Sequence, residues 1–456
     1  MKHSVRPIIA GMVLFCIPAF LNRSPLLFSD SRSYYIGGKM VLDRALSVVQ
    51  RLLGRTTLST EVVVTHAKAV RSIFYSLLSY LLASNMTLWA IILVQAALAA
   101  WVIVATNATF CRPARSLPLL VFLTVFSSLP WAVSMFMPDI FTPLTVLSLL
   151  CLLLGWDALS PTLRKGLLVM FPASLVMHLT NLPIALGVTV MAAAMHWRSL
   201  WVEKARWLSV IAALCVAVLA MLSVSVVGFN KWTLAPQNPP FLLARSIADG
   251  PAKLYLLEHC PQIKLVMCQY LDRLNTDADD FIWSSNGVFS NVSPEEQDAI
   301  RAENGPIVIA AALEYPWLQI EATTFDIIDQ LLYFDLHDSR FPNSAQITRT
   351  EMTSSIGLTY PDWVFALSVL DYIVVAGSCL TLAWLWGTGE LSPQMKQLIS
   401  LIILAVLLNS FTGAISQPSA RYGARIIWLL PMVAWLAAVR GTRLQLQNEF
   451  RFENTG

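Results

Sequence analysis

An all-α polytopic membrane protein is the fold class that this chain of 456 residues predicts. Three observations carry that expectation. Hydrophobic residues make up 56% of the chain and charged residues only 13%, with a mean hydropathy of +0.62, far from a soluble globular average. Apolar runs of roughly 16–25 residues, long enough to cross a bilayer, recur about ten times. Charge is also segregated: of 28 acidic residues, 17 lie between 229 and 360, which leaves 11 for everything else.

The spans are expected near 6–22, 87–106, 117–137, 140–156, 166–178, 182–196, 207–228, 362–386, 397–415 and 424–440. The first follows Lys2, His3 and Arg6 and has no small-x-small cleavage site after it, so it reads as an uncleaved anchor. The short pair at 166–178 and 182–196 meets at His178-Leu179-Thr180-Asn181-Leu182-Pro183. Two spans there, rather than one broken helix, put the basic loops on one side. Lys2, Arg6, Arg112, Arg115, Arg164, Lys165, Arg198, Lys204, Arg206, Lys396, Arg440, Arg443 and Arg451 then all face the cytoplasm. Both termini are expected inside, and the loops 23–86 and 229–360 outside. In a Gram-negative bacterium that places the chain in the inner membrane, with its large loop in the periplasm. Three regions follow: an N-terminal transmembrane module at 1–228, an outward lobe at 229–361, and C-terminal spans with a cytoplasmic tail at 362–456.

The outward segments are structured rather than coil. Residues 36–53 and 66–83 carry apolar residues at helical spacing, with Arg44, Arg51 and Arg55 alongside, which suits helices in the headgroup plane. In the lobe, helical stretches are expected near 240–258, 262–274, 295–303 and 307–333, with Trp232, Trp283 and Trp317 supplying a core. Ser293-Pro294-Glu295-Glu296 reads as a helix start. Of the seven cysteines, Cys16, Cys151, Cys215 and Cys379 fall in spans and Cys111 on the cytoplasmic side. Cys260 and Cys268 fall outside, where disulfides persist. A bridge between them would add about 2–3 kcal/mol by loop closure.

No Walker loop, GxGxxG, zinc spacing or GxSxG is present, and nucleic acid is not an expected partner. Asp277-Ala278-Asp279 has the DxD pattern of nucleotide-sugar transferases, but in so acidic a loop it reads as a solvated turn. The informative residues converge on the outward face. Asp30 sits in Ser29-Asp30-Ser31-Arg32-Ser33-Tyr34-Tyr35, directly behind the first span. Asp139 lies on the turn between the third and fourth spans, and His178 and Asn181 on the turn after the fifth. Arg421, Tyr422 and Arg425 precede the tenth span, and Asp371 lies in the eighth. Charges at membrane depth are costly and usually functional. Acids, an imidazole and guanidiniums on one face suit acid/base work beside a bound phosphate. Each also has a plainer reading. Asp139 could cap a helix, His178 could be a satisfied interface residue, the arginines could hold lipid headgroups, and Asp371 could sit at the interface.

This layout resembles the GT-C superfamily of membrane glycosyltransferases, which includes protein O-mannosyltransferases, aminoarabinose transferases and oligosaccharyltransferases. The likeness rests on Ser29-Asp30-Ser31-Arg32-Ser33-Tyr34 after the first span, Asp139 after the third, and Arg421-Tyr422 near the last. It is best over the first 200 residues and architectural beyond them. Members often carry adjacent acids in the first loop, whereas this chain has Asp30 alone. The resemblance implies a GT-C-like bundle and transfer from a polyprenyl-phosphate-linked sugar to an envelope or lipid acceptor. Asp30 and Asp139 would be catalytic, and Tyr34, His178, Asn181, Arg421, Tyr422 and Arg425 would bind substrate. A divalent metal ion would fall to Asp139 and His178. The acceptor, the sugar and the oligomeric state stay open. Another lipid-linked envelope enzyme (a polymerase or ligase), a multi-span transporter and a non-catalytic scaffold are the alternatives.

Overall fold

The computed structural model describes residues 5–53, 72–83, 87–111, 113–235, 238–260, 262–342 and 358–439. Lys2, His3, Arg55, residues 66–71, Arg112, Pro236, Arg440, Arg443 and Arg451 lie outside the described residues, as do the side chains of Arg44 and Arg51. The described chain is helical nearly throughout, with a single two-stranded pairing of 341–342 against 358–359.

Through the first 229 residues the helices are α1 (Val5–Phe15), α2 (Ile17–Asn22), α3 (Ser31–Leu52), α4 (Ile73–Ala83), α5 (Trp89–Phe110), α6 (Ser116–Phe126), α7 (Leu129–Ser134), α8 (Phe141–Leu154), α9 (Pro161–Leu175), α10 (Asn181–Met195) and α11 (Lys204–Phe229). The lobe and its stem hold α12 (Phe241–Asp249), α13 (Pro251–His259), α14 (Ala278–Trp283), α15 (Pro294–Glu314) and α16 (Pro316–Leu332). Then come α17 (Trp363–Gly387), α18 (Pro393–Ala414) and α19 (Ala420–Ile427), whose apolar run continues to Val439. Among the described residues, five helices are long and apolar enough to cross a membrane: Trp89–Phe110, Lys204–Val227, Trp363–Gly387, Pro393–Ala414 and Ala420–Val439.

The other expected spans are helical but shorter or broken, for readable reasons. The first breaks at Cys16, and Pro18 falls in the opening turn of α2, where a missing N–H costs nothing. The third breaks at Ser127, whose backbone is extended, before Pro130 in the first turn of α7. The stretch around His178 is a tight turn joining α9 and α10, so two separate helices do meet there. In the first loop, α3 and α4 form a hairpin. Gly38 makes that possible, since a Cβ there would lie 2.0 Å from the Ser76 carbonyl oxygen. The hairpin docks on the bundle through Tyr75, whose hydroxyl donates to Gln95 Oε1 at 2.8 Å.

The lobe has its own core of Leu243, Ile247, Leu256, Phe281, Ile300 and Ile307. Ser293 and Glu296 form a reciprocal capping box at the start of α15. The expected break near Gly305-Pro306 is absent: α15 runs through Pro306, because Ile307 and Ala311 seat that turn in the core, and the chain bends at Tyr315 instead. Trp232 and Trp317 were expected in the core but are 84% and 81% exposed; Trp283 packs partly against it. Cys260 and Cys268 are joined, with Cα atoms 5.3 Å apart. Asp277 caps α14 by accepting from the Asp280 N–H at 2.7 Å, the solvated turn that its setting suggested.

Helix α16 ties the lobe to the bundle. At its far end Gln330 exchanges two hydrogen bonds with Ser419, and a Cβ on Gly413 would lie 2.6 Å from the Gln330 Oε1. Nearer the lobe, Arg245 of α12 pairs with Asp249 and, at 3.0 Å, with Asp326 of α16. Burial first, and the neighbouring Asp249 carboxylate second, push the Asp326 carboxyl up to about 6. An ordinary aspartate titrates near 3.9 when unfolded. The folded state therefore holds this proton longer than the unfolded one, and stability from this group falls as pH rises from about 4 to about 6. Thermal unfolding in detergent at pH 4.5 and 7 should show this. Asp326→Asn should lose part of the wild-type drop in melting temperature between those two values; an unchanged drop would remove Asp326 from the joint's pH response.

Candidate functional site

Three distant parts of the chain are clasped together by main-chain bonds. The Leu26 N–H donates to the Ser134 carbonyl at 2.9 Å, the Phe136 N–H to the Leu26 carbonyl at 2.9 Å, and the Leu27 N–H to the Arg340 carbonyl at 3.2 Å. Ser31 locks the exit from this segment. Its hydroxyl accepts from the Phe28 N–H at 3.0 Å and donates to the Phe136 carbonyl at 2.9 Å. The clasp brings Asp30, Asp139 and Asp338 to one place. Pro138 opens a short 3-10 turn that folds Asp139 inward, where it is only 1% exposed.

The facing wall is the first turn and a half of α19. Arg421 and Arg425 stand four residues apart, on one side of the helix. Arg421 Nη1 lies 3.7 Å from Asp30 Oδ2, and Arg421 Nε lies 3.8 Å from Asp139 Oδ1. Arg425 Nη1 lies 3.5 Å from the same Asp139 oxygen. Gly423 sits between the two arginines, and a Cβ there would lie 2.2 Å from the Tyr333 carbonyl. Its bareness lets the end of α16 lie directly on the site. From that segment Asp338 Oδ2 accepts from the Arg421 N–H at 3.0 Å and the Ser419 hydroxyl at 2.8 Å.

The two arginines differ in what remains of their donors. Arg425 is spent on protein: Nε and Nη2 reach Asn409 Oδ1 at 2.9 and 2.7 Å, and Nη2 also reaches Thr180 Oγ1 at 3.1 Å. Arg421 is held by rings, its guanidinium 4.2 Å from the Phe28 centroid and 4.9 Å from that of Tyr422. Its distances to the carboxylates are too long for hydrogen bonds. Arg421 Nε and Nη1 and Asp139 Oδ2 are buried without a hydrogen-bond partner. Buried groups left in that state are expensive unless something arrives to meet them.

A cavity of about 400 Å³ opens beside these groups, bordered by Tyr34, His178, Thr180 and Tyr422 on the site's side. Its remaining walls, from α10, α11, α12 and the stretch after α18, are mostly apolar. Tyr34 is packed edge-on against Tyr75 at 5.0 Å. His178 pairs its Nδ1 with the Thr180 hydroxyl at 2.7 Å and meets the Tyr422 ring edge-on at 6.5 Å.

Most of the residues singled out by sequence thus come together: Asp30, Asp139, Arg421, Tyr422 and Arg425 directly, Tyr34 and His178 along the cavity wall. Asn181 does not join them. It is buried and spent, with Oδ1 accepting from Thr142 at 2.7 Å and Nδ2 donating to the Ser174 carbonyl at 2.9 Å. Asp371 is not in the site; it is buried in α17 and faces a separate slot. Asp139 and His178 are linked through Arg425 and Thr180 and do not form a ligand set together. Among the described residues, three metal-ligating side chains converge only at Glu258, His259 and Glu314, in the lobe.

Sequence reasoning missed Asp338, Asn409 and Thr180. Asn409 carried a usable signal, as an amide within the apolar run of α18. Asp338 carried none, being one of many acids in its loop. No family model, curated protein or solved structure matches this chain.

Because Asn409 supplies two of the bonds that fix Arg425, Asn409→Leu should destabilise the protein by about 1.5–3 kcal/mol. Unfolding in detergent measures this. A change within about 0.5 kcal/mol, the usual range for surface substitutions, would mean that Arg425 does not depend on that acceptor.

Proposed function

We propose that this chain is an integral-membrane glycosyltransferase of the GT-C kind. It moves a sugar from a polyprenyl-phosphate-linked donor to an envelope or lipid acceptor on the outer face of a bacterial inner membrane. The bundle has about ten spans, and both termini are cytoplasmic. The observation that carries the reading is the pair of unspent Arg421 donors facing Asp30 and Asp139, with a largely apolar cavity walled by Tyr34, His178 and Tyr422 next to them.

The chemistry follows from which donors of the two arginines are left open. Arg421 presents Nε and Nη1 on separate edges of its guanidinium, so each can donate to a phosphate oxygen and offset charge on the leaving group. Arg425 keeps Asp139 in place. Asp30 is the more exposed acid, with 15% of its side chain accessible against 2% for Asp139, so it can reach an acceptor hydroxyl as general base. Tyr34, His178 and Tyr422 shape the cavity where the donor's lipid-proximal part would lie. The unmet Asp139 oxygen offers one ligand to a divalent metal, and the His178 Nδ1 is engaged by Thr180, so these two residues do not fit a metal held between them. No step is assigned to one.

Sugar transfer from polyprenyl-phosphate donors in reconstituted vesicles tests the roles. Asp30→Asn is nearly isosteric and should cost about 100- to 10,000-fold in rate. Arg421→Lys should retain more donor binding than Arg421→Ala, since a point charge replaces part of what the guanidinium supplies. Near-normal transfer by Asp30→Asn, or identical behaviour of the two Arg421 variants, would sink these roles.

Orientation has its own test. With the lobe outside, Cys260 and Cys268 should resist alkylation in unreduced cell envelopes and label after reduction. Free labelling of both without reductant would place the lobe in the cytoplasm and with it Asp30 on the wrong face.

A further inference from the structure

On the far side of Trp131 and Leu336 from the charged site lies a second, smaller cavity. It is a slot of about 120 Å³ between α2, the α6–α7 break and α17. At its base is Asp371, 3% exposed. Both of its carboxylate oxygens are buried and lack a hydrogen bond of standard geometry, although the hydroxyl and N–H of Ser128 at the start of α7 lie close to it; no arginine or lysine pairs with it among the described residues. The nearby hydroxyls are already committed. Thr124 donates to the Leu120 carbonyl at 2.7 Å, Ser127 to the Leu123 carbonyl at 2.6 Å, and Ser128 to the Ala424 carbonyl at 2.8 Å.

A carboxylate at such a place, met only by Ser128 and without a counter-charge, is costly and leaves room for a cationic donor from outside the protein. The slot's chemistry narrows what that donor is. A hard metal ion wants six or more oxygens, and this slot offers one carboxylate among aliphatic and aromatic walls. Two tryptophans border it, Trp131 and Trp363, with ring centroids 5.9 Å apart. Aromatic faces beside a carboxylate favour an organic ammonium group. The volume suits one small headgroup and not a sugar chain.

The slot opens sideways. Leu21, Val125 and Trp363 on its rim are about half exposed or more, as lipid-facing residues of a span would be. Asp371 lies about 12 Å along α17 from Trp363, yet the helices across the slot are short and end beside it. Leu21 is one residue from the end of α2, and Ser127 directly follows α6. Short helices draw the bilayer boundary inward, so this notch lies within reach of outer-leaflet headgroups.

We propose that the slot binds the primary ammonium of an aminophospholipid from the surrounding leaflet, with the Asp371 carboxylate as its counter-charge. An ammonium brings three N–H donors to two waiting oxygens. A quaternary choline brings none and is bulkier. The site is separate from sugar transfer and stands or falls on lipid binding alone.

Native mass spectrometry of the detergent-purified full chain, reloaded with phosphatidylethanolamine or phosphatidylcholine, provides the readout. Wild type should retain one phosphatidylethanolamine in roughly tenfold preference, the scale of one charge-assisted contact. Asp371→Asn, which keeps the shape of the side chain, should erase that preference. Equal retention of the two lipids by wild type would overturn the proposal without recourse to any variant. So would an undiminished preference in Asp371→Asn. Displacement of the bound lipid by soluble ethanolamine at comparable concentration would reject a lipid source in favour of a free amine.

Discussion

Burying Asp139 between two arginines is the constraint around which the rest of the site is arranged. A carboxylate this deep is tolerable only when it is paired, and removing one partner of such a pair leaves a charge that the interior cannot screen. Arg425 is the fixed partner, and it is fixed because Asn409 and Thr180 take its other donors. That draws α18, the turn after α9, and α19 into one register. The main-chain clasp of 26–27 with 134–136 and 340 then sets Asp30 and Asp338 against the same helix. The fold does not simply contain this cluster; the cluster is where four otherwise distant segments agree on their positions.

That agreement extends to the lobe. Its core is independent of the bundle's, but α16 carries it onto the turn at Ser419 and the bare face at Gly423. Arg245, Asp249 and Asp326 hold the lobe end of the same helix, and Arg245 also reaches toward Gln417 in that turn. A shift in the lobe would therefore be felt at the helix end that bears Arg421. The physical path is short and made of contacts, not of distance alone.

The sequence made the helices and the charged centre readable for the same reason: both depend on strong, local penalties. A long apolar run has little choice but to cross or pack in a membrane, and an acid or arginine beside one is too expensive to be accidental. Asp30, Asp139, Arg421 and Arg425 were visible on that ground. Neutral polar groups carry a smaller penalty that any local partner can meet, so the roles of Asn181 and Asn409 could not be told apart. Each is an amide at a bundle interior, and only packing reveals that Asn181 is occupied by Thr142 and Ser174 while Asn409 braces an arginine. Asp338 was lost among acids of its loop because its partner is a backbone N–H some 83 residues away. Helix breaks were equally hidden. Helical stretches near 295–303 and 307–333 were expected to be separate, yet α15 is carried through Pro306 by its buried neighbours, whereas the break at Ser127 has no such support and opens the wall beside Asp371.

The contrast between Arg421 and Arg425 is the most informative difference in the molecule, because helix and side-chain chemistry are shared. Arg425 is one turn deeper and meets amide and hydroxyl acceptors at hydrogen-bonding distance, so its charge is absorbed by the protein. Arg421 meets rings on its faces and carboxylates just beyond hydrogen-bonding reach, so its orientation is fixed while two donors stay open. A side chain held by its faces and left free at its edge is preorganised without being satisfied. Such a group gains most from a ligand whose charge changes during reaction, because the donors need not leave another partner to follow it. That is why the proposed phosphate contact falls to Arg421 rather than to its better-bonded neighbour.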